Sequence, residues 1–279
     1  MKAVDIIKIG SQLLKKKNIQ THIIDSEILL SKTLKRTREE ILTNLDQIVD
    51  NKSIKIYKKY LYRRLNYEPI AYILGEKEFW SKKFNVSRDT LIPRPETELL
   101  VEKLTNIFKE KKIFILDIGT GSGCIILSLL SSLQNSTGLG VDISKNATII
   151  AKKNAAAHNL SNRVKFLSKS LENVFNKKFD LIVSNPPYVE RKDIKNLSHD
   201  IKMYEPRMAL DGGNDGLDLI KKVIYKSRGI LKIKGTLALE IGNEQFKKVS
   251  KILICNKFRI KHVIRDCKNN VRCLLATNN

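Results

Sequence analysis

Phe179-Asp180-Leu181-Ile182-Val183-Ser184-Asn185-Pro186-Pro187-Tyr188 is the stretch whose reading decides the fold. Leu181, Ile182 and Val183 form a short apolar run, the pattern of a strand buried on both faces of a parallel sheet. The run ends in a side-chain amide, two prolines and an aromatic ring. Each proline fixes φ near about −65° and lacks an amide proton, so the chain must leave the sheet in a stiff extended loop. Asn-Pro-Pro by itself is equally a sharp strand exit. A rigid polar loop at the carboxyl end of a parallel strand is, however, where open α/β sheets bind ligands.

Working outward, strands and helices alternate from Ile113 onward, the signature of a parallel sheet covered on both faces. The pattern predicts strands at Ile113–Ile118, Gly138–Ile143, Val164–Leu167, Leu181–Ser184 and Gly235–Ile241. Helices are expected near Cys124–Leu133, Lys145–Asn159, Leu217–Leu231 and Glu244–Lys257. Arg259–Arg265 and Val271–Ala276, joined through Asn269-Asn270, predict a closing antiparallel hairpin, because asparagine tolerates positive φ. The fold class is α/β: a Rossmann-like, mostly parallel sheet with an antiparallel C-terminal hairpin.

Residues 3–66 read differently. Ile6, Ile7, Ile9, Leu13 and Leu14, then Ile23, Ile24, Ile28, Leu29, Leu30 and Leu34, recur near helical spacing. Thr37-Arg38-Glu39-Glu40 fits a capping box opening a helix through Ile48, and Lys52–Leu65 is a basic helix carrying Tyr57, Tyr60 and Tyr62. Those tyrosines suit a core stripe with wet hydroxyls or contact with a polymer. Glu68-Pro69 breaks the pattern, and alternation from Ile70 to Val86 predicts a β-hairpin. The expected organisation is a helical domain over 1–67, a hairpin linker over 68–90, and an α/β domain over 91–279. In that last domain Leu91–Glu98 forms a stiff loop, where prolines on both sides of Arg94 fix its guanidinium, running into a helix from about Glu96 to Lys111.

Composition sets further bounds. With 279 residues, 42% of them hydrophobic, the chain can bury a full core. No apolar run approaches the roughly 18 residues of a membrane span, so no membrane partner is expected. Met1–Lys8 mixes acid with base, unlike a signal peptide. Cys124, Cys255, Cys267 and Cys273 show no metal-ligand spacing, which reads as reduced thiols in a cytoplasmic protein without a metal. The net charge of +23 invites a nucleic-acid partner, but residues 1–80 carry 16 Lys/Arg against 10 Asp/Glu, a density close to that of the remainder. No basic arm stands out, and only 13 of the 52 cations are arginine, the residue better suited to bidentate phosphate contacts.

The strand at Ile113–Ile118 runs into Gly119-Thr120-Gly121-Ser122-Gly123. Alternate glycines let the backbone turn tightly and approach a ligand without Cβ clashes. A dinucleotide fingerprint would need glycine at position 124, where Cys124 stands, and a P-loop would need Gly-Lys-Ser/Thr. Asp142, at the next strand end, is placed to accept from two ribose hydroxyls. The set describes an adenosine pocket without a pyrophosphate clamp, which points to S-adenosylmethionine.

With these residues in hand, the chain resembles the class I S-adenosylmethionine-dependent methyltransferases, and within them the HemK/PrmC family that methylates the glutamine of peptide chain release factors. The resemblance rests on Glu68–Gly75, Phe79-Trp80, Leu91–Glu98, Asp117–Gly123, Asn185–Tyr188 and Tyr204–Leu210, with Ile92-Pro93-Arg94-Pro95-Glu96 the most specific marker. It implies release factors as protein substrates, and no required nucleic-acid binding. The cofactor would rest on Gly119, Thr120, Gly121, Ser122, Gly123, Asp142 and Asn185. Where the family shows an acidic residue followed by an apolar or aromatic one, this chain has Lys169-Ser170-Leu171, leaving Ser170 and Leu171 to cover adenine. Asn185 and the Pro186 carbonyl would accept from the substrate amide, Tyr188 would stack on it, and Pro187 and Arg94 would complete the substrate side. Asn-Pro-Pro-Tyr is shared with adenine-N(6) methyltransferases of DNA and RNA, so that activity stays open beside a silent RNA-binding role.

Overall fold

The computed structural model describes residues 1–173 and 178–278. The chain divides into two compact units: Met1–Gly75 with Ser198–Tyr204, and Glu76–Leu197 with Glu205–Asn279.

The first unit is helical, with helices Ala3–Lys16, His22–Leu34, Arg38–Leu42, Asn51–Leu65 and Ile70–Leu74 around Ile6, Leu14, Leu29, Leu30, Ile41, Tyr57 and Leu61. The capping box forms: the Glu40 amide donates to Thr37 Oγ1 at 3.2 Å, and the Thr37 amide to Glu40 Oε2 at 2.7 Å. Its helix stops at Leu42 rather than Ile48. Thr43 Oγ1 turns back to the Glu39 and Glu40 carbonyls, a local bond that competes with helix continuation. The Leu45 and Gln47 carbonyls then accept from the Val4 and Ala3 amides, satisfying donors orphaned at the start of the first helix. The Ile70 alternation is also misleading at its start. Ile70–Leu74 is one helical turn after Pro69, ended by Gly75 at φ 78°, because five residues fit either period.

Among the tyrosines, Tyr57 is buried with its hydroxyl 2.7 Å from Ser26 Oγ, whereas Tyr62 is exposed. A buried ion pair joins two helices: Arg64 Nε donates to Asp25 Oδ2 at 2.7 Å, and Thr21 Oγ1 donates to the same oxygen at 2.8 Å. The segment Ser198–Tyr204 completes the unit, with the Tyr204 hydroxyl donating to the Asn66 carbonyl at 2.7 Å.

The second unit begins with the hairpin β1 (Glu76–Phe79) and β2 (Lys82–Asn85). Trp80 and Ser81 both take positive φ, as a two-residue type I′ turn requires. The main sheet comprises β3 (Phe114–Ile118), β4 (Thr137–Asp142), β5 (Val164–Ser168), β6 (Phe179–Ser184), β7 (Leu231–Glu240), β8 (Phe258–Arg265) and β9 (Val271–Asn278). Its order is β5-β4-β3-β6-β7-β9-β8. The first five strands in that order are parallel, and β9 runs antiparallel to both neighbours. The strand period of two sorts side chains between two cores. Ile115, Leu181 and Val183 pack with helices Glu98–Phe108, Cys124–Ser132 and Lys145–Ala157. Leu116, Ile182 and Leu237 pack with helices Asp218–Ile230 and Phe246–Cys255.

Every expected strand and helix of the α/β region is present, with ends shifted by a few residues. Short turns at Arg191–Asn196 and Arg207–Ala209 carried no periodic signal. In the β8–β9 loop Asn269 has φ 64°, while Asp266 Oδ1 accepts from the Lys268 and Asn270 amides at 2.9 Å. The outermost strands are β5 and β8, and β8 exposes Arg259, Lys261 and Arg265. At β3 the strand order reverses, with β4 on one side and β6 on the other, so a crevice opens at the carboxyl ends.

Breaking the buried pair by Arg64→Met should cost the chain about 3–5 kcal/mol, since Asp25 is then left inside the unit without its cationic partner. Denaturant unfolding measures this, and hydrogen exchange should localise the loss to His22–Leu34 and Asn51–Leu65. The exposed Tyr62→Ala should change stability by less than about 0.5 kcal/mol.

Candidate active site

Strand ends build the site. After β3 the Gly119 and Thr120 amides donate to the Val141 carbonyl at 2.9 and 3.0 Å, which ties the glycine loop to β4. Gly121 stands at φ 53°, and its amide donates to Asp142 Oδ2 at 2.9 Å. A Cβ at Gly119 or Gly121 would meet nothing within 4 Å, so open space lies over the loop. Its underside is fixed by the buried Asn154, which donates to the Ser122 carbonyl at 2.8 Å and to the Asn85 carbonyl at 3.0 Å. Asn154 Oδ1 accepts from both Asn85 nitrogens, so all its hydrogen-bonding capacity is used.

The open space is a cavity of about 840 Å³, within the usual range for small-molecule sites. Gly119, Thr120, Gly121, Ser122, Asp142, Ser170, Leu171, Asn185, Pro187 and Arg94 all line it. Gly123, Pro186 and Tyr188, expected in the site from sequence, stand off the lining. Gly123 caps helix Cys124–Ser132 at φ 79°, where a Cβ would press within 3.4 Å of Leu127, Ala151 and Phe166. Pro186 is buried. The Tyr188 hydroxyl donates to Glu240 Oε1 at 3.4 Å, and its carbonyl accepts from Gln245 Nε2 at 3.0 Å. These residues shape the loop from behind. None of the four histidines lines the cavity.

Buried acids set the electrostatics. Asp117 Oδ2 accepts from Thr120 Oγ1 at 2.7 Å, while Oδ1 is buried without a hydrogen-bond partner. Burial raises its pKa to about 7, with the Thr120 bond opposing and the Asp142 charge adding. Burial also raises Asp142, opposed by the Ser144 and Gly121 amides. Glu240, ending β7, is pushed up to about 7 by burial, against donation from Thr97 and Tyr188. Arg94 is committed to a buried carboxylate: its Nη2 donates to Glu205 Oε1 at 2.5 Å, while the Ile92 amide donates to Oε2 at 3.2 Å.

Sequence reasoning missed Thr97, Glu240, Glu205 and Asn154. Glu240 had a signal: a lone acid inside the apolar run Leu237-Ala238-Leu239-Glu240-Ile241. Asn154, inside an ordinary helical pattern, had none. Among the described residues no group of three or more His, Cys, Asp or Glu could hold a metal, and no helix is long and apolar enough to cross a membrane.

A glycine loop after the first strand, an acid after the second and Asn-Pro-Pro-Tyr after the fourth, on this sheet, define a class I methyltransferase. Residues 94–268 match the methyltransferase small domain and residues 5–75 the PrmC N-terminal domain. The release factor glutamine methyltransferase of Buchnera aphidicola subsp. Acyrthosiphon pisum is 44% identical over 267 residues, covering 94% of this chain and 96% of that protein. The bifunctional methyltransferase of Rickettsia typhi is 35% identical over 289 residues. That match takes in 96% of this chain but 56% of the relative, so the chain spans about half its length. The ribosomal protein L11 methylase of Lactobacillus delbrueckii subsp. bulgaricus shares the fold, with TM-score 0.52 and 19% identity over 70% of this chain and 84% of that one. The chain belongs to the release factor glutamine methyltransferase family, HemK/PrmC.

Asp117 yields a stability prediction. Its folded pKa, about 7, lies above the unfolded value of 3.8. The protonated acid therefore contributes stability that is complete below the unfolded value and lost as pH rises through about 7. Asp117→Asn should raise the thermal midpoint at about pH 8 more than at about pH 5. Equal shifts at both would mean that Asp117 does not titrate as its burial requires.

Proposed function

We propose that this chain transfers a methyl group from S-adenosylmethionine to the side-chain amide nitrogen of the glutamine in the Gly-Gly-Gln loop of peptide chain release factors, in the cytoplasm. The observation that carries the reading is that Asn185 and Pro187 line the same cavity as the glycine loop and Asp142. An amide acceptor is thereby set beside an adenosine-type pocket. Family membership supplies the substrate class.

The residues fit the cofactor. The empty space over Gly119 and Gly121 takes a ligand close to the backbone. Asp142 spends one acceptor position per oxygen on the Gly121 and Ser144 amides and keeps others for ribose hydroxyls. Leu171 and Ser170 offer an edge for adenine. When bound, the cofactor supplies a sulfonium methyl electrophilic enough for a weak nucleophile.

The chain's own work is orientation. The Asn185 oxygen accepts from the substrate amide and aims its nitrogen for in-line displacement, an arrangement worth on the order of 7–11 kcal/mol. As the N–CH3 bond forms and the S–CH3 bond breaks, positive charge grows on nitrogen, and an acceptor beside it favours that charge. The nitrogen then releases a proton to solvent. Pro186 and Tyr188 take a supporting role here, holding the loop. The helical unit, residues 1–75, is assigned the recognition of the release factor, and no nucleic acid is needed.

Two predictions follow from these roles. Asp142→Ala should weaken cofactor binding, since each lost charge-assisted hydrogen bond is worth about 1.5–3 kcal/mol, and calorimetry on the folded variant measures it. In single turnover with labelled cofactor, Asn185→Ala should abolish nearly all transfer, while Asn185→Asp, which keeps an acceptor, should retain part of it. Release factor, DNA and RNA are offered side by side. Label on adenine instead of glutamine would replace this substrate by a nucleic acid.

A further inference from the structure

Asn185 does not stand alone. Its Nδ2 donates to Thr97 Oγ1 at 3.4 Å, and Thr97 Oγ1 donates to Glu240 Oε2 at 2.6 Å. Thr97 and Glu240 are both almost wholly buried, each 2% exposed. They come from separate parts of the chain, Thr97 from the 3-10 turn Pro95–Thr97 and Glu240 from the end of β7.

The polarity of this relay is decided by chemistry. A hydroxyl carries one proton, and with Glu240 in the ionised form that receives Thr97 and Tyr188, the proton of Thr97 is engaged at 2.6 Å by a carboxylate oxygen, the stronger acceptor. Thr97 then has only lone pairs to offer Asn185. An amide facing a pure acceptor must present its NH2, so the Asn185 oxygen is turned the other way, and Asn185 lines the cavity. Without the relay the two ends of the amide are nearly isosteric, and a flipped Asn185 would offer the substrate a donor against its own NH2.

We infer that Thr97, held by Glu240, is a positioning residue that fixes which end of the Asn185 amide faces the substrate. This deepens the proposed function and rests on it. The long Asn185–Thr97 contact is of the kind that tightens once substrate is bound. The same carboxylate receives the Tyr188 hydroxyl on Oε1, so one buried acid braces both ends of Asn185-Pro186-Pro187-Tyr188.

The test is single-turnover methyl transfer to a release factor by the full chain, with cofactor affinity measured separately. Thr97→Val keeps shape and removes the hydroxyl. It should lower the transfer rate roughly tenfold to a hundredfold, the cost of a misplaced reacting group, with cofactor affinity changed less than about twofold. Thr97→Ser keeps the relay and should restore most of the rate. A double-mutant cycle guards against a folding defect: in an Asn185→Ala background Thr97→Val should cost almost nothing further, because it acts through the missing amide. A merely structural role would lower the rate equally in both backgrounds, and that result, or a Thr97→Val rate equal to wild type, overturns the inference. Wild-type chain that methylates no release factor refutes the proposed function instead.

Discussion

The site depends on one carboxylate buried where the sheet passes from parallel to antiparallel. Glu240 ends β7, pairs in register with Cys273 of β9, and lies among side chains rather than water. Desolvation alone would make such a group costly. It is retained because it accepts from Thr97 and Tyr188, and those two bonds connect the sheet to both the Pro-rich entry loop and the Asn-Pro-Pro-Tyr exit loop. Two loops distant in sequence thus share one electrostatic anchor. The prolines supply stiffness, and the acid supplies the direction in which the stiff segments point.

Asp117, Asp142 and Glu240 stand at the carboxyl ends of β3, β4 and β7, and burial raises the pKa of all three. A fold selected for stability alone would replace such groups by apolar ones. Asp142 lines the cavity, and Asp117 and Glu240 each hold a threonine of its wall, Thr120 and Thr97, a pattern in which local instability is accepted for prepared hydrogen-bond geometry.

Most of the architecture was legible because buried parallel strands read as short apolar runs and their helices as periodic ones. Leu181–Val183, Cys124–Ser132 and the hairpin near Asn269 needed only local information. What escaped was set by partners remote in sequence. The helix after Thr37 stops at Leu42 because the Leu45 and Gln47 carbonyls serve the amides of Ala3 and Val4, a demand invisible at positions 43–48. Ile70–Leu74 is too short for its period to be decided. In the site, Gly119, Gly121, Asp142 and Asn185 were readable since their residue types are unusual where they stand. Tyr188, expected to stack on the substrate, turns its hydroxyl to Glu240, and an aromatic at a loop end looks the same in sequence whether it meets ligand or core. Thr97 and Asn154 take meaning only from contacts 88 and 69 residues away.

The outer strand β8 places part of the chain's positive charge at an unpaired edge of the sheet. Arg259, Lys261 and Arg265 are exposed along this edge strand. Were a second copy to extend the sheet there, like charges would face each other across strands about 4.8 Å apart. Such repulsion is a common guard against edge-to-edge aggregation. At this edge the repulsion is electrostatic, so it weakens at ionic strengths high enough to shrink the Debye length to a few ångströms.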